Sequence, residues 1–403
     1  MGNDAQLAEK VTYRAVFAVA EFRSLWTAQL LSVAGDQLAR VALTVLVYDR
    51  TRSAVLAAVT FVMGVLPTFV GGTLLSGLAD RLPRREVMIG CDLIRLALVL
   101  AMVIPGMPLA LLVVLLFAVT ALSAPFTAAR AAIYPEILTG DRYTAATAVS
   151  LTTFQFAQVA GFGLGGVLVA TLGARVSLLA DAATFGLSAL LIAFGVAARP
   201  AAQKAVGHRP RLAADMLAGF RLVFGNPALR VPMLFGWTAA FYNAPEGIAT
   251  AFSQALGGGA ITVGLLLASP AAGYTAGALL FGRASPSRRQ QLMAPLAISC
   301  CALLVPMAAR PGLDAVLALL ALSGACACFQ VSANSQFVQA APPHQRSQAF
   351  GLAGAGMSLG QGAAMILAGV AVQYTAAWDV VAAAGAIGAA AAIALTLTRP
   401  AGA

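Results

Sequence analysis

Asp36, Arg40, Asp92, Arg95, Asp181 and Glu246 each lie inside a long apolar run of the sequence. Ionisable groups are costly in such surroundings, so each is first read as a candidate for function. Gln29, Ser32, Asp36 and Arg40 are spaced by three, four and four residues, which places them on one face of a helix. Asn243, Glu246, Thr250 and Gln254 repeat that spacing beside Pro245. Thr120, Ser123, Thr127 and Arg130 form a third polar stripe, and Gln330 and Asn334 a fourth. Asp36 and Arg40, one turn apart, can pair along the helix. A carboxyl held by arginine stays ionised, whereas one without a partner in apolar surroundings favours its neutral form. A charge that depends on its partner's position is what proton coupling needs, so Asp36, Arg40 and Glu246 are the proton-coupling candidates. A static ion pair explains Asp36 and Arg40 on the same spacing. Asp92 with Arg95 reads as a local or interhelical pair, and Asp181 as structural.

The surrounding composition decides what elements can hold these groups. Of 403 residues, 60% are hydrophobic and 10% charged, with mean hydropathy +0.86. A soluble domain carries roughly 25% charged residues. Lipid, rather than water, is the solvent that suits this surface. Backbone groups must then be satisfied within helices or closed barrels, and long unalternating apolar runs exclude a barrel. The expected fold is therefore an all-α polytopic membrane protein. Net charge is +10, yet no basic stripe with interleaved aromatics points to nucleic acid. Cys91, Cys300, Cys301, Cys326 and Cys328 sit in or beside apolar segments and read as small buried side chains. Cys326 and Cys328 lack a second ligand pair, and His208 and His344 are distant in sequence, so no metal site is implied. No cofactor is implied either.

Apolar runs fall at about 24–48, 54–79, 87–105, 108–130, 145–171, 174–197, 231–256, 260–282, 291–309, 313–338, 348–373 and 376–398, each near the ~20 residues a span requires. With twelve spans, both termini lie on one side. The loops on that side carry nineteen Lys and Arg residues and the opposite loops only Arg50, Arg52, Arg175 and Arg310. That bias predicts cytoplasmic termini. Residues 1–23 lack a cleavable signal pattern, so the first span is expected to direct insertion. Arg outnumbers Lys 23 to 2, which suggests a GC-rich bacterial genome and a bacterial cytoplasmic membrane. The longest polar interruption divides the chain into a six-helix half at 1–197, a cytoplasmic linker at 198–230 and a second half at 231–403. Leu212 to Phe224 within the linker is amphipathic and suits an interfacial helix. Arg84 and Arg85 recur as Arg288 and Arg289, Arg142 as Arg346, and Gly165 as Gly369, all at an offset of 204. Parallel repeats about an axis along the membrane normal would produce this.

The stretch Ser76-Gly77-Leu78-Ala79-Asp80-Arg81-Leu82-Pro83-Arg84-Arg85-Glu86-Val87-Met88 resembles the signature G-x-L-a-D-r-x-G-r-k-x-x-l of the major facilitator superfamily. Ser76 and Pro83 stand where the signature has glycines. The resemblance implies twelve transmembrane helices in two six-helix pseudo-repeats, and a gating motif of Asp80, Arg81, Arg84 and Arg85. Independently, an Asp at a span end can accept from a neighbouring helix N-terminus while basic residues hold it ionised; a simple topology signal is the plainer reading of the arginines. The second copy has Ala284 where Asp80 would fall, so the latch should be asymmetric. Gly161-Phe162-Gly163-Leu164-Gly165-Gly166 resembles the exporter motif G-P-x-x-G-G with Phe162 in the proline's place, although glycines also permit close packing. Phe22-Arg23-Ser24-Leu25-Trp26, Gly35-Asp36-Gln37 and Asp181-Ala182-Ala183-Thr184-Phe185 resemble the drug, macrolide and siderophore exporter branch. In this superfamily spans 1, 4, 7 and 10 line the cavity. The resemblance therefore makes Gln29, Ser32, Thr127, Trp237, Phe241, Asn243, Gln254, Gln330 and Asn334 the substrate-cavity candidates.

The function expected from these features is secondary active transport: proton-coupled export of a small hydrophobic or amphipathic compound by alternating access, with the chain working as a monomer in the lipid bilayer. Uptake by proton symport uses the same acidic groups and stays open. A lipid flippase or a non-transporting sensor is a reading from a different class. No Walker A or His-Glu-x-x-His pattern is present, so an enzyme is not expected.

Overall fold

The computed structural model describes residues 13–67, 71, 82–200, 212–342 and 345–397. Among them every regular element is a helix. Leu164, Phe194, Leu367 and Ile387 are exposed, as lipid-facing apolar side chains are. Eight helical stretches are long and apolar enough to cross a hydrocarbon core. They begin with α1 (Ala20–Thr51). Three further spans fall short of that standard for identifiable reasons. The second span opens with α2 (Ala54–Met63) and runs on into residues outside the described set. The third, α3 (Arg84–Met102), carries Arg84, Arg85, Glu86, Asp92 and Arg95. The other that falls short is the seventh; the fourth, one of the eight, is α4 (Leu109–Ala121) followed by α5 (Ser123–Ile137).

Residues 141–195 form one continuous stretch, α6 (Asp141–Gly195). Its 55 residues would make about 80 Å of straight helix. It breaks at Gly173, whose φ of 81° and ψ of 165° are open to a residue without a side chain, and so supplies spans five and six. The linker helix is α7 (Leu212–Gly225). The seventh span is in pieces: α8 (Pro227–Trp237), α9 (Ala239–Tyr242), α10 (Ala244–Gly247) and α11 (Ala249–Ala255). Asn226 caps its start by accepting from the Ala228 amide at 3.0 Å, and Pro227 takes the position where its missing N–H costs nothing. Pro232 and Pro245 then deny the ladder two donors. The remaining spans are α12 (Ala260–Gly282), α13 (Pro286–Ala302), α14 (Leu313–Cys326) with α15 (Phe329–Ala340), α16 (Arg346–Ala371) and α17 (Ala377–Leu397). The chain is thus an all-α bundle of twelve spans.

The two sets of six repeat one another in packing. Gly71 meets Ala121 so closely that a Cβ would stand 2.0 Å from the Ala121 carbonyl oxygen, and Gly277 meets Ala325 at 2.2 Å. The break after α4 at Leu122 recurs after α14 at Ala327. Such breaks are tolerated within lipid only where the backbone is buried or lines a cavity.

The buried core is not uniform along the spans. We use "terminal face" for the face carrying the start of α1 and the end of α17, and "distal face" for its opposite. One large apolar cluster joins both sets, with Val41, Phe61, Phe162 and Leu178 against Ile248, Phe252, Leu266 and Met365, and it lies towards the distal face. Nearer the terminal face the clusters are separate. Phe22, Met88, Tyr134 and Ile192 belong to the first set; Met293, Phe329 and Ala392, and Leu229, Phe337 and Leu352, belong to the second. Glycines allow the distal junction. A Cβ at Gly166 would stand 2.7 Å from the Ala260 carbonyl oxygen and 2.9 Å from Gly264 Cα, and one at Gly369 would stand 3.1 Å from the Ala54 carbonyl oxygen.

Candidate functional site

Asp36 turns to a neighbouring helix rather than to Arg40. Arg95 on α3 donates through Nη2 to both Asp36 carboxylate oxygens, at 2.8 and 3.0 Å, and through Nη1 to Ser32 Oγ at 3.2 Å. Asp92, three residues back along α3, lies 3.7 Å from the same Nη1. The guanidinium rests 4.2 Å above the Phe185 ring, a face that attracts cations. Asp181, four residues before Phe185, is fully buried and feels both Asp36 and Arg95 electrostatically. Gly35 makes room for that approach: a Cβ there would stand 2.5 Å from Asp181 Oδ1 and 2.4 Å from Thr184 Oγ1. Two carboxyl groups, from spans one and three, therefore share one guanidinium, and a third, from span six, is buried beside Gly35. Asp92 and Arg95 are paired, as the sequence suggested, but in a cluster that also takes in Asp36 and Asp181.

Arg40 is committed elsewhere. Its Nη2 donates to the Gly64 carbonyl at 2.7 Å, where α2 ends, and it lies 5.4 Å above the Phe61 ring. Across the boundary between the two sets it interacts electrostatically with Glu246, and along α1 with Asp36. The α1 stripe thus faces its neighbours. Gln29 Nε2 donates to the Ser150 carbonyl at 3.1 Å, and Ser32 accepts from Arg95, which holds both in helix–helix contacts.

Four of the other candidates line two cavities. Towards the terminal face, Trp237, Gln330 and Asn334 line a cavity of about 180 Å³ with Phe337, Phe350 and Met357. Trp237 Nε1 donates to the Ala353 carbonyl at 3.0 Å. Gln330 Nε2 donates to the Gly236 carbonyl and to the Tyr242 hydroxyl oxygen, both at 3.0 Å. Those bonds fix the ring and the amide while leaving Asn334 exposed. Gln254 belongs to a second cavity, of about 380 Å³, at the distal face. Phe241 packs against Gly388 on α17, Asn243 forms the joint between α9 and α10, and Thr127 is exposed on α5.

The sequence profile of the transmembrane secretion effector family, a branch of the major facilitator superfamily, matches residues 12–402. The chain belongs to that family. A search among curated proteins finds no match. The fold of this secretion-effector family member is that of solved transporters. It resembles a POT family transporter in complex with a thioalcohol-conjugated peptide, with TM-score 0.73 at 9% identity over 93% of this chain and 95% of that one. It also resembles a peptide transporter POT in complex with sulfate, with TM-score 0.68 at 14% identity over 96% and 98%. A bacterial homolog of the human lysosomal transporter Spinster, in an inward-facing and unoccupied conformation, gives TM-score 0.63 at 14% identity over 94% of each chain.

In this transporter the gating-motif residues Asp80 and Arg81 lie outside the described residues. Arg84 pairs with Glu136 and donates to the Ala132 carbonyl at 2.9 Å; Arg85 donates to the Ala193 carbonyl. Glu136 also lies 3.6 Å from Arg199, which makes a two-point pair with Glu21 at 2.7 and 3.0 Å. The Glu21 hydrogen bonds hold the Arg199 guanidinium above its ordinary range. This network ties the start of the linker to the first set of spans, and nothing in the sequence marked Glu136 or Glu21 as part of it. At the matching place in the second set, where Ala284 replaces the acid, Arg289 turns back and donates to the Ala284 carbonyl at 2.8 Å and to the Gly282 carbonyl. It caps the end of α12. Of the four motif glycines of the fifth span, Gly161 packs against Ala34 and Gln37, Gly165 against Leu38, and Gly166 against Gly264, whereas Gly163 faces open space. Close helix packing accounts for three of the four.

Proposed function

We propose that this chain exports a small hydrophobic or amphipathic compound from the bacterial cytoplasm in exchange for protons, by alternating access of its two six-helix sets. The observation that carries the reading is the sharing of one guanidinium, that of Arg95, by Asp36 and Asp92, with the buried Asp181 close by. Asp36 lies one turn along α1 from Arg40, which interacts electrostatically with Glu246. Two carboxyls share the one guanidinium, and Asp181 is buried nearby with no hydrogen-bond partner on either carboxyl oxygen. An unpaired buried carboxylate costs several kcal/mol, so charge balance in the cluster calls for protons. Rocking one set against the other changes the distance between Arg40 and Glu246 and so the charge that the Asp36 end of the chain of groups must balance. Protonation then follows conformation, which is coupling.

The family's description as secretion effectors and the exporter-like texture of the sequence support outward transport. The excess of arginine on the terminal face supports its placement in the cytoplasm. The core clusters are joined distally and separate towards the terminal face, which suits a state that loads from the cytoplasm into the cavity of Trp237, Gln330 and Asn334. The domain division at 198–230 fits this scheme, because the linker must let two bodies rock while Arg199 and α7 hold its ends. The test is flux in proteoliposomes under an imposed pH gradient with a panel of lipophilic compounds. Export requires accumulation on the acidic side that Glu246→Gln abolishes while leaving exchange without a gradient intact. Accumulation on the alkaline side would make the protein an uptake symporter, and full gradient-driven flux in both Asp36→Asn and Glu246→Gln would remove these groups from the mechanism.

A further inference from the structure

The distal cavity is a candidate binding site in its own right. Its wall comes from both sets of spans: Tyr48 and Asp49 at the end of α1, Val169 from the fifth span, Thr250 and Gln254 on α11, and Val263 on α12. At about 380 Å³ it is in the range that small-molecule sites occupy. Asp49 is the one charged residue in the wall, and no described basic side chain forms an ion pair with it. The adjacent Arg50 is held away by donating to the Met107 carbonyl at 3.2 Å. Thr250 is 3% exposed and its hydroxyl has no hydrogen-bond partner. In a helix that hydroxyl ordinarily bonds the carbonyl one turn back, and a buried hydroxyl left unpaired costs about 1–3 kcal/mol. An occupant with a polar atom would satisfy it.

The geometry points to a distal-face site for an amphipathic organic cation, with its ammonium group on Asp49, its apolar body against Val169 and Val263, and a polar atom within reach of Thr250. This site is separate from the terminal-face cavity assigned above to the exported compound. Because both sets contribute to the wall, an occupant braces the closed distal end. That consequence rests on the alternating-access reading; the binding itself does not.

The probe is benzyltrimethylammonium, with neopentylbenzene as its uncharged carbon isostere. Binding is measured by equilibrium dialysis on the purified full-length protein in phosphatidylglycerol nanodiscs. Saturable binding of the cation is expected, at least tenfold tighter than that of the isostere. Asp49→Asn, an exposed position, should weaken it at least tenfold. Gly259→Phe should abolish it: the Gly259 backbone is extended at φ −125°, and a Cβ there meets nothing within 4 Å, so the ring can enter the cavity without strain. Gln254→Ala, also exposed, gives a second reading if Gly259→Phe is not monodisperse, and should weaken binding by a smaller factor. Adding phosphatidylethanolamine to the nanodiscs distinguishes sources of the ammonium. Competition by this lipid assigns the site to a headgroup amine, and its absence assigns it to a free ligand. Equal binding of cation and isostere, no saturable binding, or unchanged binding in Asp49→Asn and Gly259→Phe would overturn the proposal.

Discussion

At the residue scale, the Arg95 cluster sets what each substitution should do. Asp36 has a quarter of its side-chain surface exposed, whereas Asp92 and Arg95 are buried. Removing Asp36 therefore leaves Arg95 with Asp92 beside it, so Asp36→Asn should express and purify as the parent does while losing flux driven by a pH gradient. Removing the shared guanidinium is different. Arg95→Gln leaves Asp36 and Asp92 without their cation, and losing one partner of a buried pair costs about 3–5 kcal/mol. The yield of monodisperse protein and its unfolding temperature should both fall, and Asp36→Asn made together with Arg95→Gln should recover part of each. A normal unfolding temperature in Arg95→Gln alone would mean that the arginine holds none of these acids in place. The alternative pairing of Asp36 with Arg40 predicts the reverse order: Asp36→Asn would be the damaging change, and Arg40→Gln its rescue.

At the element scale, the distal junction of the fifth and eighth spans depends on two glycines facing each other. A side chain at Gly166 meets backbone atoms of Ala260 and Gly264, and backbone cannot swing aside as a flexible side chain would. Gly166→Leu should hold the two sets apart at the distal face, at a cost of about 1–3 kcal/mol, and depress transport by tenfold or more. Spin labels introduced by Tyr48→Cys and Gln254→Cys, one on each set, should then report distances longer by several ångströms. An unchanged distance with unchanged transport would show that the junction does not close during the cycle. The breaks in the fourth, seventh and tenth spans belong to this scale too. They fall where polar stripes were legible in the sequence, because freed backbone groups and cavity-lining side chains need the same lipid-free surroundings.

At the scale of the whole molecule, twelve spans with both ends on one face and a strongly basic terminal side predict a definite orientation. Val206→Cys in the linker should resist a membrane-impermeant thiol reagent added to intact cells, and Pro311→Cys between the ninth and tenth spans should react. Labelling of position 206 from outside would overturn the orientation proposed. The latch prediction is also global, since it concerns a balance between two states a few kcal/mol apart. Asp80→Asn should leave expression intact and slow transport strongly. Ala284→Asp should matter less, because Arg289 already satisfies the helix end there by bonding the Ala284 and Gly282 carbonyls.

The run lengths of apolar residues set the span count, and the bias of arginine between loops set the expected orientation, because both express the one-dimensional cost of placing a group in lipid. The signature at Ser76 to Met88 placed the chain in its superfamily for the same reason: a loop motif is contiguous. Gly173 could be anticipated as a break, since the apolar runs part at that residue. What sequence spacing could not supply was the partner of each buried charge. Spacing offered Asp36 a neighbour one turn away, but side chains on one face of a helix point outward, towards whatever helix packs there. Only the packing of the third span against the first brings Arg95 within 2.8 Å of Asp36, and only the sixth span carries the Phe185 ring to the same guanidinium. The same holds for Arg40 and Glu246, for the network from Arg84 through Glu136 to Arg199, and for a distal cavity walled by residues from five spans. These are contacts between segments far apart in sequence, and tertiary structure alone decides them.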